Sequence, residues 1–244
     1  MACLPTPAIA EQVFTALLNH NKRSEARPSR LIMDFSTIDP VTSKRIANAI
    51  EAAGFGTYLD APMSGGVVGA RAGTLAFMVG GTPETFARAE PVLATMGKRI
   101  IHCGPQASGL SAKLANNYLL AINNLGTAEA MNFGIKAGLN PATLASIINS
   151  ATGRSWASEV NNPVPGIVAS APASRDYKGG FATALMNKDL ILAITAAEQI
   201  QAPLILSEAA SSIYGKLTSD NDYESLDFSS VYKYLGSADV KPKL

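Results

Sequence analysis

The chain has 244 residues, of which 47% are hydrophobic and 16% are charged, so it can bury a sizeable core and lacks the composition of a disordered protein. Its 20 Lys and Arg residues nearly balance its 19 Asp and Glu residues, which argues against a nucleic-acid ligand. The apolar runs fall well short of the ~18 residues that a membrane helix needs. Cys3 and Cys103 form no disulfide framework and indicate a reducing compartment, while His20 and His102 are too few to favour a metal site or histidine-based catalysis.

The first hundred residues alternate helices with short apolar runs. Thr6-Pro7, Asp39-Pro40 and Thr82-Pro83 each place a proline directly after a capping residue, and Gly54 and Gly97 are the predicted stops of the second and third helices. The apolar runs between the helices predict strands on a largely parallel sheet. They are Leu31–Phe35, Thr57–Leu59, Leu75–Val79 and Arg99–Cys103. We therefore predict an α/β domain over residues 1–106.

The remaining residues show helical patterns and no strand signal. Ser108 is the predicted cap of a long helix that runs to about Lys136, and Gly138 is its stop. Asn140-Pro141 opens the next helix, and Pro203 opens a later one. Two more helices are predicted at Leu185–Gln199 and Phe228–Leu235. Residues 107–244 are thus predicted to form an all-helical domain.

A dinucleotide-binding α/β domain usually carries a Gly-x-Gly-x-x-Gly loop after its first strand. The 244 residues contain no such loop, nor the glycine-rich loop of nucleoside triphosphatases. The first four residues are also too short to form a full strand before the Thr6 helix. These observations predict that the chain begins within a domain.

Three motifs contain residues that could carry chemistry. Ser64, Gly65 and Gly66 follow a predicted strand, where paired glycines let backbone N–H groups approach an anion. Taken alone, the motif is also typical of a plain turn, which is the commoner case. The loop is therefore a candidate anion site whose assignment needs support from elsewhere in the chain.

The other two motifs contain lysines. Lys113 and Asn117 lie four residues apart and so share a helix face, next to Leu114, where partial desolvation would suit an amine to proton transfer. Lys188-Asp189 stands at the start of a predicted helix. When each motif is considered alone, an ordinary alternative is favoured. For Lys113 the alternative is a solvated helix face, and for Lys188-Asp189 it is surface charge near a helix end.

Together and in this order, the motifs resemble those of the β-hydroxyacid dehydrogenases. The residues that carry the likeness run from Asp60 to Gly66, through Gly104, Gly109, Lys113 and Asn117, to Lys188-Asp189. Within the family, the chain is most similar to the 3-hydroxyisobutyrate dehydrogenase group. Further similar stretches are Leu4–Thr6, Asp34–Pro40, Gly153–Trp156, Asn162–Gly166 and Asp227–Val231. The resemblance covers essentially the whole chain.

The resemblance implies a role for each matching position. Lys113 matches the catalytic lysine, Ser64, Gly65 and Gly66 match the loop that holds the substrate carboxylate, and Asn117 matches a second substrate contact. The positions that match cofactor contacts are Leu4, Pro5, Thr37, Phe181, Lys188 and Asp189. The resemblance implies no metal. It also marks two mild departures, Met63 in place of a usual valine and Ala107 in place of a glycine.

The fold class that the resemblance implies is α/β then all-α, an incomplete Rossmann-type parallel sheet followed by a helical domain. The implied reaction is the NAD-dependent oxidation of 3-hydroxyisobutyrate to methylmalonate semialdehyde in valine catabolism, with NADP as an open alternative. The implied partners are a small 3-hydroxy acid and further copies of the chain, as a dimer or tetramer, with no nucleic acid and no membrane. The implied location is the mitochondrial matrix.

The family's glycine loop precedes the position that matches Leu4, so the resemblance implies an N-terminally truncated chain that contains no targeting segment and binds NAD weakly. One alternative is an inactive fragment or pseudoenzyme that acts only as an assembly partner. Another is a glyoxylate or succinic-semialdehyde reductase of the same family. A 6-phosphogluconate dehydrogenase is disfavoured, because Asn116 stands where those enzymes have a histidine.

Overall fold

The computed structural model describes residues 1–20 and 29–236, which divide into two compact units. The first unit contains residues 1–116 together with residues 195–201. The second contains residues 117–194 and the chain from residue 202 onward. The long helix Ser108–Lys136 belongs to both units, since the division falls after Asn116.

Unit 1 alternates helices and strands as predicted. Asp39 and Thr82 are N-caps whose side chains accept the N–H groups of Thr42 and Thr85, and each is followed by a proline. The elements are α1 (Pro7–His20), β1 (Leu31–Asp34), α2 (Pro40–Ala52), β2 (Thr57–Asp60), β3 (Met63–Ser64), α3 (Gly66–Ala72), β4 (Leu75–Gly80), α4 (Pro83–Leu93), β5 (Gly97–Gly104) and the first turns of α5 (Ser108–Lys136).

The sheet has the order β1-β2-β4-β3, with β5 paired to β4. The β1–β2 and β4–β5 pairs are parallel, whereas β4 runs antiparallel to both β2 and β3. All four predicted strands are present. The short strand β3 and helix α3 were not predicted, because the glycine-rich segment that forms them was interpreted as a loop.

Two apolar clusters form the core of unit 1. One packs α1 and α2 against β1 and β2, with Phe14, Ile50 and Tyr58 among its buried members. The other packs α4 against the sheet through Leu59, Phe77 and other apolar side chains. Both clusters bury side chains that alternate along short strands, as expected for a covered sheet.

Unit 2 is helical, which agrees with the sequence pattern. Its described regular structure beyond α5 is α6 (Pro141–Ser150), α7 (Trp156–Glu159), a 3₁₀ turn (Pro172–Arg175), α8 (Thr183–Gln199), α9 (Ser207–Thr218), a second 3₁₀ turn (Phe228–Ser230) and α10 (Val231–Leu235). The last residues of α8 belong to unit 1. Within residues 1–20 and 29–236, no helix is both long and apolar enough to cross a bilayer.

Three predicted helix boundaries are wrong. Gly97 does not end α4, which stops at Leu93; Gly97 instead begins β5. Pro203 does not begin a helix, since α9 starts four residues later at Ser207. Ser108 is not the cap of α5 but its first helical residue, and the N–H groups at this helix end are accepted by the carboxylate of Asp60. Capping rules consider only residues next to a helix, so they could not predict that Asp60 accepts these N–H groups.

Candidate active site

Ser64, Gly65 and Gly66 lie where β3 passes into α3. Ser64 is half-buried, and the backbones of Gly65 and Gly66 have φ values of 131° and 58°. Both values lie in the region that favours glycine. A side chain at Gly65 would also press against Leu75, because its Cβ would lie 3.1 Å from a Leu75 methyl carbon. The two glycines therefore keep exposed backbone beside the Ser64 hydroxyl.

Helix α5 buries both of its predicted functional side chains. Lys113 is 8% exposed and Asn117 is 2% exposed. Their spacing of four residues on one continuous helix puts them on the same face. The ordinary alternative of a solvated helix face is therefore wrong for Lys113. A buried lysine and a buried asparagine need polar partners, because an unpaired polar group away from water is costly.

Asn117 belongs to unit 2 and has a polar partner within that unit, the carboxylate of Asp189. Its Nδ2 donates to Oδ2 of Asp189 at 2.6 Å, and the ammonium of Lys188 lies 3.1 Å from Oδ1 of the same carboxylate. Asp189 is 2% exposed, whereas 26% of the Lys188 side chain is exposed. The alternative that Lys188-Asp189 is ordinary surface charge fails for Asp189. The pair occupies the second turn of α8 rather than its start, because that helix begins at Thr183.

Leu4, Pro5 and Thr37 lie on two segments that hydrogen bonds hold together in unit 1. Ala2 forms an isolated parallel β-bridge with Asp34 of β1. The Leu4 N–H donates to Ser36 Oγ at 2.7 Å. The Ser36 hydroxyl in turn donates to the buried carboxylate of Asp34. Thr37 lies three residues beyond the carboxyl end of β1, the edge where α/β sheets bind ligands.

Asp34 lies in the stretch Asp34–Pro40 that resembles the family, but the sequence predicted no role for its side chain. Besides the Ser36 hydroxyl, it accepts the Tyr58 hydroxyl at 2.8 Å. Burial and the Asp34 charge raise the pKa of Tyr58, so its hydroxyl keeps the proton that it donates to Asp34. The sequence signal for this link is a carboxylate two residues before a serine, a common turn pattern.

Phe181 lies two residues before the first residue of α8. Its N–H donates to Oδ2 of Asp227 at 2.8 Å, and its ring makes an edge contact with Phe228 at a centroid distance of 6.3 Å. Asp227 is buried and also accepts the Asn161 amide and the Ser229 hydroxyl. Phe181 is therefore held in place by the Asp227–Val231 stretch.

Two family models cover nearly all of the chain. Residues 1–104 match the NAD-binding domain of 6-phosphogluconate dehydrogenase, and residues 107–235 match the NAD-binding model of NADP-dependent 3-hydroxyisobutyrate dehydrogenase. The mitochondrial 3-hydroxyisobutyrate dehydrogenase of Mus musculus is 45% identical over 95% of this chain and 68% of its own length. The Pseudomonas aeruginosa enzyme of that name is 49% identical over 83% of this chain and 68% of its own length. The chain belongs to the 3-hydroxyisobutyrate dehydrogenase family.

A solved member of this family shares the fold closely. The 3-hydroxyisobutyrate dehydrogenase of Mycobacterium tuberculosis, determined with L-serine, matches with a TM-score of 0.89 and 43% identity over 96% of this chain and 78% of its own. The family resemblance and the fold class predicted from the sequence are thus confirmed. The chain consists of NAD-binding domains of an oxidoreductase family and spans about two thirds of the length of the curated relatives named above.

Proposed function

We propose that the chain acts in the NAD-linked oxidation of 3-hydroxyisobutyrate to methylmalonate semialdehyde, with the roles that the family resemblance implies. The observation that supports it most is the burial of Lys113 and Asn117 on one face of α5, with the Asn117 amide oriented by Asp189. The Mycobacterium relative was solved with L-serine, which also carries a carboxylate and a hydroxyl on the carbon beyond the α-carbon.

Lys113 is the proposed general base. Lys113 places an amine on the buried face of α5, where Nζ would take the hydroxyl proton during oxidation and return it during reduction. General acid–base groups of this kind contribute about 10²–10⁴-fold to a rate. Lys113 is thus the residue whose removal should affect the chemical step most.

Asn117 is the proposed orienting residue beside the base. Because its Nδ2 donates to Asp189, the opposite end of the amide is an oxygen that acts as an acceptor. That oxygen suits an O–H or N–H donor, either the substrate hydroxyl or the amine of Lys113. Asp189 therefore sets the direction of the Asn117 amide, and Lys188 balances the buried charge of Asp189.

Ser64, Gly65 and Gly66 are the proposed carboxylate site. The Ser64 hydroxyl and the exposed backbone of the two glycines provide the uncrowded N–H and O–H donors that an anion needs. A carboxylate fixed there would allow only acids whose hydroxyl lies at one set distance to reach the base. This geometry is the proposed origin of the preference for 3-hydroxy acids.

The proposed cofactor contacts in unit 1 fit a nicotinamide. Leu4 and Pro5 offer an apolar surface, and Thr37 offers a hydroxyl at the carboxyl edge of the sheet, which suits an aromatic ring that carries an amide. NAD supplies the hydride acceptor when it is bound. The resemblance assigns further cofactor contacts to Phe181, Lys188 and Asp189, and the choice between NAD and NADP stays open.

The proposed location is the mitochondrial matrix, because the mouse and rat relatives are named as mitochondrial proteins. The Pseudomonas relative, which is 49% identical, shows that the same sequence type also occurs in a bacterium. The proposed partners are a small 3-hydroxy acid and a second copy of the chain.

The function is tested by substituting Lys113 with alanine. The assay is run on the 244-residue chain and on a fusion to the N-terminal Gly-x-Gly-x-x-Gly segment of a family member, because the curated relatives named above are longer than this chain. We expect Lys113→Ala to lower kcat for 3-hydroxyisobutyrate by about 10²–10⁴-fold. The matched control is Lys136→Ala, which removes an exposed lysine from the last turn of the same helix.

Equal activity of the two variants would remove Lys113 from catalysis. Turnover of glyoxylate or succinic semialdehyde in preference to 3-hydroxyisobutyrate would replace the proposed substrate. A folded fusion that binds NAD but converts none of these substrates would favour the pseudoenzyme alternative.

A further inference from the structure

Asp60 is a buried carboxylate that holds the beginning of α5. It is the last residue of β2 and is 1% exposed. Its Oδ1 accepts the N–H of Ala107 at 2.7 Å, and its Oδ2 accepts the N–H of Leu110 at 2.8 Å. The N-caps of α2 and α4 come from the residue directly before the helix, whereas α5 uses an acceptor 47 and 50 residues away.

Two glycines make this approach possible. A Cβ at Gly80 would collide with the Asp60 carboxylate, and a Cβ at Gly109 would collide with the carbonyl oxygen of Met78 on β4. The same Gly109 Cβ would lie 2.8 Å from Oδ2 of Asp60. The first turn of α5 is therefore seated directly on the sheet backbone, with the Asp60 carboxylate between two glycines.

Asp60 also connects the two proposed halves of the substrate site in unit 1. Four residues after Asp60 the chain reaches Ser64, and three residues after Leu110 helix α5 reaches Lys113. We propose that Asp60 is a positioning residue: its carboxylate, hydrogen-bonded to Ala107 and Leu110, fixes the α5 turn that carries Lys113 relative to the strand that leads to Ser64. This inference rests on the proposed function and adds a residue to which no role has been given.

The chemistry of the carboxylate suits a positioning role. Each of its two oxygens accepts one N–H group of the α5 turn. Burial raises the pKa of Asp60, and backbone N–H groups, those of Ala107 and Leu110 among them, act in the opposite direction. A neutral side chain could fill the space, but it could not accept both N–H groups at once.

Asp60→Asn tests this inference, because it keeps the shape and removes one acceptor. We expect amide hydrogen exchange at residues 107–110 of the 244-residue chain to become at least about tenfold faster. In the active fusion, we expect kcat to fall at least about tenfold, because small displacements of a catalytic group cost up to about 10²-fold. The KM for the hydroxy acid should change far less, since Ser64 stays on its own strand.

The matched control is Asp34→Asn. Asp34 is as buried as Asp60 and lies opposite it in the β1–β2 register, but it binds Ser36 and Tyr58 instead of α5. This variant should speed exchange near residue 36 and leave residues 107–110 unchanged.

Three results would overturn the inference. The first is unchanged exchange at 107–110 in Asp60→Asn, and the second is faster exchange there with an unchanged kcat. The third is a parallel change of kcat and KM. A parent fusion that is inactive on every 3-hydroxy acid would instead refute the proposed function, and the exchange comparison would then decide alone whether Asp60 fixes α5.

Discussion

At the scale of single residues, burial separates the polar side chains of the candidate site from those of an ordinary surface. Sequence spacing could place Lys113 and Asn117 on one helix face, and the family resemblance could assign their roles. The sequence could not show that Lys113 and Asn117 are buried. Nor could it show that Asn117 is hydrogen-bonded to Asp189, because Asn117 and Asp189 are 72 residues apart in the chain. Such partners depend on tertiary packing, which local patterns do not report.

Ser64 and Asn117 should affect different kinetic constants. Removing the Ser64 hydroxyl weakens carboxylate binding in the ground state and the transition state alike, so Ser64→Ala should raise KM with little change in kcat. Asn117→Ala should mainly lower kcat, because the amide acts beside the proton transfer. Steady-state kinetics of both variants in the active fusion make the comparison, and unchanged constants in both would show that the site has been placed wrongly.

Asp60 should make stability depend on pH in an unusual direction for a carboxylate. Burial raises the pKa of Asp60 above 3.8 in the folded state, so the folded chain binds its proton more tightly than the unfolded chain does. Its contribution to the free energy of unfolding should therefore decrease as the pH rises from about 3.8 through the folded pKa. Asp34, Tyr58 and Cys103 are the titratable neighbours coupled to Asp60.

The measurement is urea unfolding of the parent chain and of Asp60→Asn across this pH range, since the asparagine variant lacks the titration. The parent chain should lose stability relative to the variant as the pH increases. A difference that stays constant with pH would show that the Asp60 pKa is not raised.

At the scale of elements, the boundaries set by neighbouring residues were predictable and those set from a distance were not. Asp39, Thr82 and Asn140 cap their own helices, and a proline follows each of them, so α2, α4 and α6 begin where predicted. The start of α5 depends on Asp60, and β3 depends on pairing with β4, which supplies a partner for a two-residue strand.

Two helix glycines should respond oppositely to alanine. Gly109→Ala in α5 should destabilise the chain by about 1–3 kcal/mol, because the added Cβ would collide with the Met78 carbonyl oxygen. Gly215→Ala in α9 adds a methyl group at a position with nothing within 4 Å, so it should stabilise that helix by about 0.5–1 kcal/mol. Chemical unfolding of both variants checks the signs, and destabilisation of similar size in both would contradict the close approach of α5 to β4.

At the scale of the whole molecule, the order of α/β and helical residues was predictable because the two halves have different periodicities. The boundary predicted at 106/107 stays a prediction, and the family models meet at nearly the same place, between residues 104 and 107. The two compact units of the structure instead divide after Asn116. The first turns of α5 belong to unit 1, because the Leu110 N–H donates to Asp60 and the Leu110 side chain packs in a core cluster of that unit. A helix shared by two units leaves no linker for a sequence pattern to mark.

Helix α5 carries apolar side chains around much of its circumference, including Leu114, Leu120 and Leu125, and this pattern predicts burial on several sides and self-association. In unit 2 it presents an exposed stripe of Leu119, Gly126 and Phe133, with Leu119 56% and Phe133 75% exposed. A spacing of seven residues is close to two helical turns, so the three residues lie on nearly the same side. The small Gly126 between two large side chains would let a second helix approach closely.

We expect this stripe to be covered by a second copy of the chain. Burying a large apolar side chain contributes about 1.5–3 kcal/mol, so Phe133→Asp should weaken the dimer by at least about tenfold. Sedimentation velocity of the 244-residue chain over a series of concentrations gives the measurement, and Leu119→Asp should act in the same direction. The control is Val68→Asp, an equally exposed apolar position on α3 in unit 1, which should leave association unchanged. A parent chain that sediments as a monomer at every concentration would show that the stripe is not an interface between copies.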